Sequence, residues 1–389
     1  MHVPAWLCGC WTWSTSSGDR VDKQAQAEAA TSSNLFMELE TLEAATNNFS
    51  EANLLGRGGF GPVYKGVLPN GDEIAVKKLS LESRQGIQQF TTEVRLLLRV
   101  QHRNLVNLLG CYAASGQKML VYPYFPNRSL DHFLFDKQNS PLLDWTKRFE
   151  IILGIVKGLL YLHEESPVKI IHRDIKASNI LLDDKLNPKI SDFGMARLFL
   201  DDDTHVETFR ISGTYGYMAP EYAMNGYLSP KTDVFSFGIL VLEIISGRKN
   251  MDRNLDEDKT DLLNYTWMLY KEGRALEIVD PALSSFIYTD QVQLCIQLGL
   301  LCCQSIVSDR PDMSTIHLIL SSDSFSLPIP GKPAIHGRVG RWTSSTTTIS
   351  NNTDTTFGIT TTRASTTMHS IAEEESRNSI SISFTNEGR

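Results

Sequence analysis

Apolar residues crowd the middle of the chain and thin out at both ends. Dense apolar patterning begins near Leu42 and runs to about Leu320. Between Leu54 and Val121 the pattern is strand-like, with one helix set among the strands. Ile74-Ala75-Val76 is a short apolar strand behind the turn signal Asn70-Gly71. Ile87, Phe90, Val94 and Leu97 recur at helical spacing, which predicts a helix with all four on one face. From Ser129 onward the period is mainly helical. Phe149, Ile152, Val156 and Leu159 share a face, and residues 234–245 are apolar on nearly every side. The latter predicts a helix inside a core, with Gly247 as its C-cap. The whole reads as an α+β fold with a small β-rich lobe at about 43–125 and a larger α-rich lobe at about 126–322.

The flanks read differently. Residues 1–42 are mixed and rich in Ser, Ala and Gln, with no sustained period. Residues 323–389 pass through Pro328, Pro330 and Pro333 into a run of Thr, Ser and Asn. Both flanks are expected to be disordered, because neither buries enough apolar surface to offset its ordering entropy.

Composition narrows the function classes. A formal charge of −8 over 389 residues argues against a nucleic-acid partner, which selects for a basic excess. The six cysteines are irregularly spaced in a large chain and read as reduced thiols of a cytosolic protein. No paired C-x-x-C suggests zinc. The most apolar stretches, residues 151–162 and 234–245, fall short of the roughly 20 apolar residues of a membrane span. The first residues lack the pattern of a secretory signal, and His2 excludes N-myristoylation. Cys8 and Cys10, flanked by Trp6, Leu7, Trp11 and Trp13, are candidates for S-acylation, against the plainer reading of incidental cysteines.

The chemistry lies in five ordered pieces. Gly56, Gly58, Gly61 and Val63 have the G-x-G-x-x-G-x-V spacing of a hairpin that lies over phosphates. A dinucleotide fingerprint would need a helix next, whereas Val63-Tyr64-Lys65-Gly66-Val67 reads as a strand. Lys77 ends Ile74-Ala75-Val76-Lys77, where it can meet phosphates, and Glu93 on the following helix is its ion-pair partner. His172-Arg173-Asp174-Ile175-Lys176-Ala177-Ser178-Asn179 supplies a carboxylate to orient a hydroxyl, a lysine to neutralise a moving phosphoryl group, and an amide oxygen for Mg²⁺. Asp192-Phe193-Gly194 adds a second hard oxygen ligand, and Ala219-Pro220-Glu221 closes the segment that follows. Any one piece arises by chance; all five in this order do not.

In these motifs the chain resembles eukaryotic protein kinases, which implies the bilobal protein kinase fold. The segments Ala44-Ala45-Thr46-Asn47-Asn48-Phe49-Ser50, His102-Arg103-Asn104-Leu105-Val106 and Gly213-Thr214-Tyr215-Gly216-Tyr217-Met218 make it similar to plant receptor-like kinases related to the cysteine-rich receptor kinases. The resemblance covers about residues 43–322. It implies transfer of the γ-phosphate of ATP, with Mg²⁺, to Ser or Thr of protein substrates. It also implies either a receptor-like cytoplasmic kinase or a fragment or splice form of a receptor kinase, cytoplasmic and associated with a plasma-membrane receptor kinase complex. Val63, Ala75 and Leu181 would sandwich adenine, and Pro123 and Phe125 would meet its edge. Proline replaces the family's usual Glu there but keeps its carbonyl. Asp233 would brace the catalytic loop, Glu221 would pair with Arg310, and Leu97, Leu108, His172 and Phe193 would stack between the lobes. A scaffold without activity would lack one of Lys77, Asp174, Asn179 or Asp192. A tyrosine kinase would usually lack Lys176.

Arg173 before the catalytic aspartate implies an activation loop, residues 195–218, ordered by phosphorylation. Thr204, Thr208, Ser212 and Thr214 are its candidate hydroxyls. Thr208 matches the family's position, while Thr214 is expected to touch Asp174 and Lys176 directly.

Overall fold

A computed structural model describes residues 35–58, 61–79, 84–136, 138–199, 205–208, 210–283, 288–322, 326–334, 336–337, 341–342 and 379–383. Its smaller lobe is one antiparallel sheet in the order β1-β2-β3-β5-β4. The strands are β1 (Leu54–Gly58), β2 (Gly61–Val67), β3 (Glu73–Lys78), β4 (Gly110–Ala114) and β5 (Gln117–Pro123). The β2–β3 turn forms where Asn70-Gly71 predicts it: Asp72 N donates to Asn70 Oδ1, and Gly71 takes φ 91°.

Alternation along β3 splits its residues between two environments. Ile74 and Val76 are buried with Met119, Val121 and Leu42, the last on helix α1 (Leu39–Ala45). Ala75 and Lys77 are half-buried on the other face. Helix α2 (Arg84–Leu97) packs Phe90 and Val94 against Leu79, Cys111 and Leu120. The predicted face of α2 needs one correction. Phe90, Val94 and Leu97 are buried, but Ile87 is 43% exposed. It sits in the first turns of α2, where with Ala196 and Leu198 it lines an open groove among the described residues.

The larger lobe is helical: α3 (Leu130–Leu134), α4 (Trp145–Leu160), α5 (Pro220–Asn225), α6 (Pro230–Ser246), α7 (Leu262–Lys271), α8 (Thr289–Cys302) and α9 (Met313–Ser321). Short strands β6 (Lys169–Ile171), β7 (Ile180–Leu182), β8 (Pro188–Ile190), β9 (Arg197–Phe199), β10 (Val206–Glu207), β11 (Arg210–Thr214) and β12 (Tyr227–Leu228) frame its upper surface. Helix α6 starts at a capping box between Ser229 and Thr232, with Pro230 in the first turn, and ends at Gly247 with φ 63°. Nearly all of it is buried. It can approach α8 closely because both contact points are glycine. A Cβ on Gly238 would lie 2.7 Å from Cys302 Cβ, and one on Gly299 would lie 2.9 Å from Leu242. Cys111, Cys295, Cys302 and Cys303 are all buried free thiols. Burial pushes Cys295 and Cys302 up to about 12.

Packing extends past both expected domain edges, so neither flank is wholly without structure. Leu35 and Leu42 are buried, and Met37 N donates to Cys111 O. At the other end Gln297 donates to Pro328 O, Gln304 to Gly331 O, and Ala334 N to Cys303 O. A short ribbon of β13 (His336–Gly337) and β14 (Arg341–Trp342) follows. Strand β15 (Ser379–Ser383) then pairs antiparallel with β11. These anchors are isolated apolar residues and hydrogen bonds to backbone carbonyls, neither of which produces a sequence period. Cys8 and Cys10 lie outside the described residues. No helix among the described residues is long and apolar enough to cross a membrane.

Candidate active site

Strand β3 carries Lys77 to the cleft between the lobes. There its Nζ lies 2.8 Å from Asp192 Oδ1 and 3.5 Å from Glu93 Oε2. Burial alone would lower the Lys77 pKa, but the two carboxylates outweigh it and raise it, so the ammonium stays charged. Burial likewise acts to raise Asp192, and Lys77 outweighs it, leaving Asp192 below the usual carboxylate range. Glu93 is raised by burial, opposed by Lys77 and by the Tyr122 hydroxyl. Asp192 adopts φ 67°, a costly backbone state for a residue with a side chain and one that clusters at functional sites.

Between β6 and β7 the chain folds around Asp174. Asp233, buried on α6, accepts His172 N at 2.7 Å and Arg173 N at 2.8 Å, and His163 Nε2 lies 3.0 Å away. Burial acts to raise the Asp233 pKa, but these partners outweigh it and hold it low. Asp174 Oδ2 lies 2.9 Å from Lys176 Nζ and accepts Asn179 Nδ2 at 2.9 Å. Oδ1 accepts the Thr214 hydroxyl at 2.6 Å, and Lys176 Nζ donates to Thr214 Oγ1 at 2.8 Å. The Asn179 amide is fixed by a second bond to Asp174 O, which leaves its Oδ1 as an acceptor. His172 meets Phe193 edge to face at 4.9 Å, with Leu97 buried and Leu108 half-buried nearby.

Val63 on β2, Ala75 on β3 and Leu181 on β7 are each half-buried. Gly56, Gly58 and Gly61 lie in the β1–β2 hairpin, where Gly58 pairs with Gly61. Gly61 has φ 132°, a conformation that suits glycine. Tyr124 N donates to Glu73 O on β3. The polar groups of Pro123 and Phe125 therefore turn to the opposite edge. Among the described residues the Phe125 amide has no hydrogen-bond partner.

The activation segment is fastened to the larger lobe. Thr208 N donates to Gly226 O, beside the β10–β12 pair. A side chain at Gly226 would strike Thr208 O at 1.9 Å. Arg173 donates from Nη2 and Nε to the Tyr222 hydroxyl and from Nη1 to Met195 O. Tyr222 in turn accepts Ser212 N at 2.9 Å and donates to Ser212 O. Below the segment Glu221 and Arg310 form a two-pronged ion pair at 2.7 and 2.8 Å. Thr204 lies outside the described residues.

A family model for protein tyrosine and serine/threonine kinases matches residues 49–320. The chain belongs to the protein kinase family. Cysteine-rich receptor-like protein kinase 8 of Arabidopsis thaliana is 51% identical over 322 residues, covering 83% of this chain and 47% of that protein. Receptor-like serine/threonine-protein kinase SD1-7 of the same plant is 55% identical over 302 residues, covering 77% of this chain and 36% of its own. The kinase chain thus spans about half the length, or less, of these relatives. Kinase 8 agrees with the narrower resemblance to cysteine-rich receptor-like kinases.

Two tyrosines in this kinase site gave no usable signal in the sequence. Tyr122 donates to buried Glu93, and Tyr222 joins Arg173 to Ser212. Each acts across a long sequence separation, where spacing carries no information.

Proposed function

We propose that this chain is an ATP-dependent protein serine/threonine kinase. The observation that carries the reading is the convergence on Asp174 of Lys176, Asn179 and Thr214, beside the Lys77–Asp192 pair. Asp174 keeps an acceptor lone pair to orient an incoming hydroxyl and to take its proton as the phosphoryl group leaves ATP. Lys176 sits where it neutralises charge on that group. Lys77 binds the phosphates, and Glu93 sets its direction. The free Phe125 amide and the Pro123 carbonyl match the acceptor and donor on the edge of adenine, between Val63 and Ala75 above and Leu181 below.

Family membership implies a divalent cation, and the donor set fits Mg²⁺. Asp192 and the Asn179 amide oxygen are two hard oxygens, and substrate phosphate and water would complete an octahedron. Among the described residues no group of three His, Cys, Asp or Glu side chains could hold a metal alone. When bound, the cation neutralises phosphate charge.

Thr208 is the proposed activating phosphosite, with Arg173 as its partner. Ser212 is a weaker candidate because it is buried. The relatives' names, receptor-like kinases, support a role in receptor-linked signalling; association with the plasma membrane, through S-acylated Cys8 and Cys10, is proposed from the flanking aromatic residues alone. Hydroxylamine-sensitive labelling of those thiols tests the anchor.

The deciding experiment incubates purified protein with Mg·ATP and casein, with Asp192→Asn as control. Phosphoserine and phosphothreonine made only by the wild type support the reading. Equal labelling by the control, or none by either, refutes it.

A further inference from the structure

Strand β11 leads directly into the active site. It ends at Thr214, whose hydroxyl bonds Asp174 and Lys176. One edge of β11 is already used: Ser212 N–H and C=O both engage the Tyr222 hydroxyl. The polar groups of Ile211 and Gly213 therefore face the other edge. Such an edge is an open template on which an extended peptide can add as a strand. The strand that occupies it comes from the chain's own C-terminus. The register sets Ser383 opposite Arg210, Ile382 opposite Ile211, Ser381 opposite Ser212, Ile380 opposite Gly213 and Ser379 opposite Thr214. No other strand pairs with β11 or β15 among the described residues.

We propose that the tail segment Ser379–Ser383 is an intramolecular substrate of this kinase, phosphorylated at Ser379. The inference rests on the kinase reading above. Ser379 is singled out by register. It stands opposite the residue bonded to the catalytic carboxylate, whereas Ser381 and Ser383 are successively farther along the strand. The alternation Ser-Ile-Ser-Ile-Ser is itself a strand pattern, with two β-branched residues between the serines. Tethering presents this segment to its site at an effective concentration far above that of a separate molecule.

The step balances without any further reagent. Ser379 Oγ forms a bond to the γ-phosphorus of ATP as the bond to the β,γ-bridging oxygen breaks. ADP leaves with the electron pair, and the hydroxyl proton passes through Asp174 to water. The product phosphate carries about −1.5 to −2 charges beside the Asp174 carboxylate, so repulsion then favours release of the strand.

The test uses the full chain with Mg·ATP and casein, over a hundredfold range of enzyme concentration, with phosphopeptide mapping. The expected result is phosphate at Ser379 formed at a rate per molecule independent of concentration. Ile382→Pro, which removes an N–H and disfavours strand pairing, should slow that labelling at least tenfold while casein is still phosphorylated. Labelled casein with an unlabelled tail overturns the proposal, as does tail labelling that scales with enzyme concentration. Absence of label on both overturns the kinase reading and this inference with it.

Discussion

The Tyr122 hydroxyl donates to Glu93 Oε1 at 2.5 Å, joining the end of β5 to the middle of α2. Glu93 is 1% exposed, and its other oxygen faces Lys77 at 3.5 Å. The tyrosine thus holds the carboxylate that faces Lys77, tying α2 to β5 and β3. Tyr122→Phe should leave the ATP cleft intact but free Glu93. One lost hydrogen bond to a charged group is worth about 1.5–3 kcal/mol. The expected effect is a fall in kcat of roughly tenfold, with a thermal midpoint lowered by a few degrees. An unchanged kcat in steady-state assays would show that Lys77 alone fixes Glu93.

Asp174→Asn tests the catalytic centre. Asparagine keeps the size of the side chain and can still accept from Thr214. It loses the charge that meets Lys176 and the capacity to take a proton. Phosphoryl transfer should fall by about 10²–10⁴ while nucleotide binding persists. Single-turnover transfer near wild type would remove Asp174 from the mechanism.

Glu243 makes a prediction about pH. It is buried on α6, accepts Asn250 N at 2.7 Å and the Tyr217 hydroxyl at 2.8 Å, and burial pushes its carboxyl up to about 8. Unfolded, the group titrates near 4.3. Between these values the folded state holds a proton that the unfolded state has lost, so this group makes stability fall as pH rises through about 4.3–8 and level off above. Glu243→Gln should remove that component. Denaturation of the pair across pH 4–9 should show the variant gaining on the wild type through this window. A constant difference would exclude the titration.

Activation by Thr208 is tested with a double-mutant cycle. If phospho-Thr208 acts through Arg173, Thr208→Ala and Arg173→Ala should each lower kcat, and the double variant should be little worse than either. Arg173 also bonds Tyr222, so Tyr222→Phe serves as the control for that contact. Purely additive losses, or full activity of Thr208→Ala, would set Thr208 aside.

The sequence alone indicated the two lobes and the candidate catalytic set that they present. Those features are local: short motifs in a fixed order, and hydrophobic periods of two and 3.6 residues. The contact of Thr214 with Asp174 and Lys176 was implied by the resemblance to protein kinases, not by spacing. What lacked a local signature was decided only in three dimensions. Ile87 kept the helical period of Phe90 and Val94 yet lies exposed, because burial depends on what packs opposite. Tyr122 meets Glu93, and Tyr222 ties Arg173 to Ser212, across separations that no period spans. The same holds for Leu35, Leu42 and Ala334, which carry packing past both expected edges, and for Ser379–Ser383, whose pairing with β11 is made of backbone hydrogen bonds. A backbone donor is common to nearly every residue type, so its partner is chosen by the fold and cannot be read from the side chains.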